Sequence, residues 1–334
     1  MTVCRGLILL SFRAPKGREI SFLRSLVPLT LFGVLGMTGV VLLPAPLAAE
    51  ESGVGVLILA HGGATTWNAQ VQEAVVEANL GLPTEIAFGM GMEPEETVRV
   101  QEAVGRLTER GVREILAIPF LISTYSSVYR QYEYLLGLRE EPSWPDHPVK
   151  PVELTIPVRL VQALDDSPWM GEILLARALA LSDDPSGEAV VLVAHGPEEE
   201  ADNASWMEVM QRLGADLLAR GGFAAFRAAT LRDDADPKIE ERAVRQLREE
   251  VSSLSGSLRV LVVPLLISQG GIEEKIPECL KGLSYRFSGQ GLLPHPYAAR
   301  WIRERVESAF LPSATQLGGS ARYFGGEAAA DGLT

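Results

Sequence analysis

The chain has 334 residues, 47% of them hydrophobic, and a formal charge of −13. That length and apolar content suit two globular domains with separate cores, and an acidic balance without a concentrated Lys/Arg surface argues against nucleic acid as a partner. With Cys4 and Cys279 as the two cysteines, no disulfide framework is available.

The first 49 residues read as an export signal. Arg5, Arg13, Lys16, Arg18 and Arg24 precede nineteen uncharged, mostly apolar residues from Ser25 to Leu43, and PAPLAAE then offers small residues suited to signal peptidase. Cleavage is expected after Ala49, because Pro44 and Pro46 break a helix where the protease needs extended chain. The alternative is an uncleaved anchor, since nineteen residues just suffice to span a bilayer with the basic end inside. The expected location is the periplasm, with membrane contact only through this segment if it stays uncleaved. Losing residues 1–49 removes five basic residues and one acidic residue, which takes the formal charge from −13 to −17.

From Gly53 onward, short apolar runs alternate with longer amphipathic stretches, the pattern of β-α units that build a parallel sheet. Strands are predicted at VGVLILA (54–60), TEIAF (84–88), EILAIPF (114–120) and VKPVELTI (149–156). Helices are predicted around 67–79, 95–110, 128–138 and 170–181. SDDPSGE (182–188), polar and containing Pro and Gly, reads as a hinge. Strands then follow at EAVVLVA (188–194), AFRAATL (225–231) and LRVLVVPLL (258–266), with a weak fourth near 284–287. The helices of this second part are predicted around 203–220, 238–251, 273–283 and 298–310. The expected organisation is a signal at 1–49, halves at 50–184 and 185–311, and a Gly/Ala/Ser-rich tail at 312–334 that is expected to be disordered.

The two halves repeat each other in residues as well as in outline. An apolar run ending in AHG occurs at 56–62 and at 190–196, followed by Asn68 in one half and Asn203 in the other. MEPEETVRVQEAVGRL (92–107) answers ADPKIEERAVRQLREE (235–250), each with an acidic residue and a proline opening an amphipathic helix. EILAIPFLIS (114–123) answers RVLVVPLLIS (259–268). Three matches in the same order indicate duplication.

His61 and His195 therefore each follow the first strand of a half, at the carboxyl end of a parallel sheet, where α/β folds bind ligands. Gly62 and Gly196 permit the sharp turn behind each ring. If the halves face one another about a pseudo-twofold axis, both imidazoles approach one site. Imidazole ligates divalent first-row metals and moves protons near neutral pH. A structural histidine in a turn is the other reading of a single AHG, but duplication in a chain with four histidines favours a functional one.

These motifs, namely AHG after the first strand, the acidic residue and proline opening the second helix, and the VVPLLIS-type third strand, resemble the class II, ATP-independent tetrapyrrole chelatases. The nearest type is the sirohydrochlorin cobaltochelatase with two fused halves, and the resemblance covers roughly 53–310. It implies a chelatase-like α/β fold of two tandem flavodoxin-like domains, and insertion of a divalent metal, Co2+ first with Fe2+ or Ni2+ as further candidates, into a tetrapyrrole. The metal is the substrate, and the family's metal-holding histidine in the HG motif carries over onto His61 and His195. The family's second histidine, after the third strand, does not carry over: Ser127 and Ile272 stand near its place. The acidic residue after the second strand is replaced by Met90 in the first half and kept as Asp233 and Asp234 in the second. The expected metal set is therefore His61, His195 and Asp233, with both histidines catalytic.

A carboxylated macrocycle needs cations and flat apolar faces, and Tyr125, Ser127, Arg130 and Lys275 are the candidate substrate contacts. Tyr129, Tyr132 and Tyr134 read equally well as faces of one helix, and Met90 and Met92 read as core filler rather than soft metal ligands. Neither a GxxxxGK[ST] loop nor a GxGxxG follows a first strand, so no nucleotide is expected. Metal insertion requires partial dehydration of the ion, loss of the pyrrole N–H protons and bending of the macrocycle. The alternative function is an exported, non-catalytic metal- or tetrapyrrole-binding protein of the same fold.

Overall fold

The computed structural model describes residues 53–147 and 149–310. The signal at 1–49 and the tail at 312–334 lie outside the described residues. In chain order the first half contains β1 (Val54–Ala60), α1 (Thr65–Ala78), β2 (Thr84–Phe88), α2 (Pro94–Glu109), β3 (Glu114–Phe120), α3 (Ser127–Leu135), β4 (Val158–Leu160) and α4 (Pro168–Leu181). After a 3-10 turn at Pro185–Gly187 come β5 (Glu188–Ala194), α5 (Glu200–Gly221), β6 (Ala225–Thr230), α6 (Pro237–Ser255), β7 (Arg259–Leu265), α7 (Ile272–Cys279), β8 (Arg286–Phe287) and α8 (Pro296–Phe310). No helix among the described residues is long and apolar enough to cross a membrane.

The strands form two all-parallel sheets of identical order, β2-β1-β3-β4 and β6-β5-β7-β8. Parallel neighbours need crossover helices, which cover both sheet faces, so β1 and β5 are buried along their whole length and are apolar apart from Glu188, which opens β5. The helices that follow β2 and β6 start where the sequence places them. Pro94 opens α2 behind a capping box of Glu93 and Glu96, and Pro237 opens α6 while Asp236 accepts a hydrogen bond from the Lys238 N–H.

One face of the first sheet, through Leu57 and Leu59, packs on α2 and α3, and the corresponding face of the second, through Val191 and Val193, packs on α6 and α7. The opposite faces share one continuous core, which includes Val56, Ile58, Val190 and Leu192 together with α1, α4, α5 and α8. The closing helix of each half reaches across: α4 packs on α5 and β7, and α8 packs on α1 and β3. Trp301 of α8 is 1% exposed, with its ring centroid 5.6 Å from that of Phe120 on β3, and Arg303 donates to the Ala78 carbonyl at the end of α1.

The predicted fourth strand at 149–156 is corrected. Those residues form no ladder with β3; the Val152 N–H donates to Leu135 of α3, and Glu153 exchanges hydrogen bonds with the Gln101 amide on α2. The edge of β3 is taken instead by Val158–Leu160, opposite Ile115–Ala117. The alternating apolar residues Val152, Leu154 and Ile156 that suggested a strand are packed against the outer core of the first half. The second fourth strand shrinks to Arg286–Phe287.

Candidate metal centre

At the carboxyl end of the second sheet Ala194 pairs with Thr230 on one side and Leu265 on the other, so the loops after β5, β6 and β7 converge there. His195 is the first residue past β5. Gly196 follows at φ 79°, and a Cβ there would stand 2.5 Å from Thr230 Cβ, which only glycine avoids. The loop after β6 is bound to this turn by Arg232, a non-glycine residue at φ 56° whose N–H donates to the His195 carbonyl. Its guanidinium, 4% exposed, donates to the carbonyls of Pro197 and Glu198 and pairs with Glu200. This clamp sets the next two residues, Asp233 and Asp234, opposite the imidazole.

His195 Nε2 lies 2.8 Å from Asp233 Oδ1 and 3.1 Å from Asp234 Oδ2. The Asp233 side chain is 3% exposed and that of Asp234 is 66% exposed. Lys275 of α7 pairs with Asp233 Oδ2, and His195 pairs with the buried Asp233 Oδ1. The three ligand atoms of His195, Asp233 and Asp234 all lie within 4.8 Å of one another. Donors about 2.1 Å from one ion stand about 3.0 Å apart at a right angle and about 3.4 Å apart in a tetrahedron. The 2.8 and 3.1 Å spacings are those of imidazole–carboxylate ion pairs and are also compatible with donors to one ion, and one imidazole with two carboxylates is a donor set for a borderline to hard divalent ion.

Burial disfavours the charged form of His195, but the carboxylates of Asp233 and Asp234 outweigh it and raise its pKa to about 9. Burial likewise opposes charge on Asp233, and His195 and Lys275 outweigh it, holding that carboxyl well below the usual range; His195 also lowers Asp234. Below the unfolded value of 6.5 the stabilisation from protonated His195 is fully present, and it is lost as pH rises through about 9. The carboxylate contribution is present above the unfolded value of 3.8 and is lost on acidification. The thermal midpoint of the metal-free chain is therefore expected to fall between pH 6.5 and about 9, and His195→Gln to flatten that fall in scanning calorimetry. An unchanged slope in the variant would assign the pH dependence to other groups.

The other residues singled out by the sequence are distributed differently. His61 is exposed, with Nδ1 2.7 Å from the Gly62 carbonyl and its ring 6.4 Å from that of Trp67. It is not among the three residues whose ligand atoms lie within 4.8 Å of one another, whereas the sequence pattern placed both imidazoles in one metal set. After β2 the Glu96 carboxylate accepts the N–H groups of Gly91, Met92 and Glu93, so it caps its own loop. The repeated asparagines also diverge, Asn68 accepting from the Gly63 N–H and Asn203 from the Thr230 hydroxyl. Tyr125 is exposed, and its carbonyl accepts from the Trp206 indole of α5. Ser127 opens α3 and accepts from Arg130, whose guanidinium makes a two-pronged pair with Asp202 of α5 at 2.9 and 2.7 Å. Tyr129 and Tyr132 are buried, with their hydroxyls bound to the carbonyls of Val161 and Gly89. Met90 and Met92 are half-buried, His147 Nδ1 lies 3.0 Å from the Met92 carbonyl, and His295 accepts from the Tyr297 N–H at the start of α8. Sequence reasoning missed Arg232; an arginine leading the acidic LRDDADP loop was the available signal.

No protein-family model matches the chain, and no curated protein does. Among solved structures the chain is similar to SirB from Bacillus subtilis with Fe3+, at TM-score 0.58 and 13% identity, over 80% of this chain and 98% of that one. It is also similar to DR2241 from Deinococcus radiodurans, described as a multi-domain protein with structural similarity to chelatases and two additional novel domains. That match has TM-score 0.48 and 19% identity, over 77% of this chain and 54% of the other. At such identities the likeness is one of fold: an α/β, chelatase-like architecture of two tandem flavodoxin-like domains.

Proposed function

We propose that this chain is a metal chelatase that works without a nucleotide, taking a divalent cation at His195, Asp233 and Asp234 and transferring it to a tetrapyrrole. Co2+ is the first candidate metal and sirohydrochlorin the first candidate macrocycle, with Fe2+ and Ni2+ next. The observation that carries the reading is the convergence of ligand atoms of His195, Asp233 and Asp234 within 4.8 Å of one another at the ligand-binding edge of a parallel sheet. The occurrence of the same fold in SirB, a structure with Fe3+, supports it.

In this reading Asp234, at the exposed rim, meets the hydrated ion first, and Asp233 and His195 strip part of its water. His195 gives up its proton to solvent so that its lone pair faces the metal. Two carboxylates then balance a divalent charge, which keeps the bound ion neutral overall and able to leave. Transfer frees two protons from the pyrrole nitrogens; His195 recovers one as the metal departs, and the other passes to solvent. With residues 1–49 as an export signal, the reaction takes place outside the cytoplasmic membrane, where the acidic surface concentrates cations.

The test is optical. Purified protein mixed with sirohydrochlorin and Co2+ is expected to speed the loss of the free-macrocycle spectrum in proportion to protein concentration, and His195→Ala to remove that acceleration. Equal rates for the two proteins would overturn the assigned site. One observation favours a second reading, a non-catalytic metal carrier: Arg130 and Lys275, the cations expected to meet a carboxylated substrate, are both held in ion pairs by Asp202 and Asp233. Stoichiometric Co2+ binding with no effect on the macrocycle would establish that reading.

A further inference from the structure

Lys275 was expected to contact the tetrapyrrole, but its ammonium sits on the buried carboxylate of the metal group. From this we infer that Lys275 is a resident counter-cation, one that occupies Asp233 in the metal-free chain, yields to the incoming metal and returns when the metal leaves. The inference rests on the proposed metal site and adds to it the residue that sets the site's affinity.

Three observations carry it. The Asp233 side chain is 3% exposed and is held by two cations in the metal-free chain, His195 at Oδ1 and Lys275 at Oδ2; a bound metal takes the place of the His195 proton, and a buried carboxylate short of a cation is strongly destabilising. An ion that is to be passed on therefore needs a replacement. The Lys275 side chain is 49% exposed on a flexible stem, so its ammonium can move into water at little cost when a second cation arrives. Lys275 is also the fourth residue of α7, near the end of a helix that favours anions, where Glu273 already accepts the N–H groups of Gly270 and Gly271. Helix stability gives no reason for a cation there; the pairing with Asp233 does.

The two oxygens of Asp233 divide the work. Oδ2 holds Lys275 while Oδ1 holds His195 Nε2. A metal can engage Oδ1 and Nε2 first and then draw the carboxylate away from the ammonium, so no stage leaves Asp233 bare. Repulsion between the metal and Lys275 lowers the affinity of the site, and the displaced ammonium adds a positive charge at its rim.

Co2+ titration calorimetry on the full chain, at fixed pH and salt, tests this. Lys275→Met and Lys275→Gln are each expected to bind Co2+ about tenfold more tightly or better, and to release it more slowly into an excess of competing chelator. Lys275→Arg, which keeps the charge, is expected to stay close to the wild-type affinity. If wild-type protein binds Co2+ and the Met and Gln variants bind it equally or more weakly, the counter-cation role is overturned while the metal site stands. If wild-type protein binds no Co2+, both fall. Circular dichroism of each variant guards the comparison, and His195→Ala in the Lys275→Met background must remove the binding for it to count.

Discussion

Asp233→Asn is expected to lower Co2+ affinity by about 100-fold or more, roughly 2.7 kcal/mol, with little change in shape. The substitution keeps the size of the side chain and removes the charge that faces both His195 and Lys275. His195→Ala is expected to cost as much, since it removes the one nitrogen donor of the group. Asp234→Asn is expected to cost about tenfold, because a carboxylate 66% exposed to water interacts with the ion through a higher dielectric. His61→Ala is expected to leave the affinity unchanged, because its ring is not part of the group. Calorimetry with Co2+ on the four variants decides the matter. Wild-type affinity in Asp233→Asn, together with loss of binding in His61→Ala, would move the metal centre to the first half.

The contrast between the two histidines marks how far the sequence could be read. The two sheets and their duplication were legible because a parallel strand buried on both faces has little choice but to be apolar throughout, and because Glu93-Pro94 and Asp236-Pro237 mark helix starts by fixed chemistry. The nearness of the loops after β5 and β6, which carry His195 and Asp233, was legible too, since both follow neighbouring strands at the same sheet edge, whereas the place of Asp234 beside them was not expected. The engagement of Lys275 was not, because it depends on how α7 lies beyond β7, and no local spacing records that. Nor was the role of Arg232, whose positive φ is invisible in an arginine. The misplaced fourth strand has a similar origin: alternating apolar residues report which side faces a core, and 149–156 faces one while its backbone hydrogen-bonds to helices rather than to β3.

Trp301→Ala is expected to destabilise the whole molecule by about 3–5 kcal/mol, a drop in thermal midpoint on the order of 10 °C for a body of this size. The ring is 1% exposed and packs on Phe120, so truncation opens a cavity where α8 meets the first sheet. Because α8 comes from the second half, and α4 from the first half packs on α5 and β7 in return, neither sheet keeps its inner face covered without the other half. A single calorimetric transition that shifts as a unit is therefore expected, rather than a first half that melts alone. Two separated transitions, with only one displaced, would mean that the exchanged helices do not couple the halves. Trp301→Phe separates ring packing from the indole N–H. The Nε1–H is buried without a hydrogen-bond partner, so removing it relieves a desolvated donor and offsets part of the lost area. Phenylalanine is thus expected to cost less than half of what alanine costs, and an equal cost would mean that the indole nitrogen is satisfied in solution.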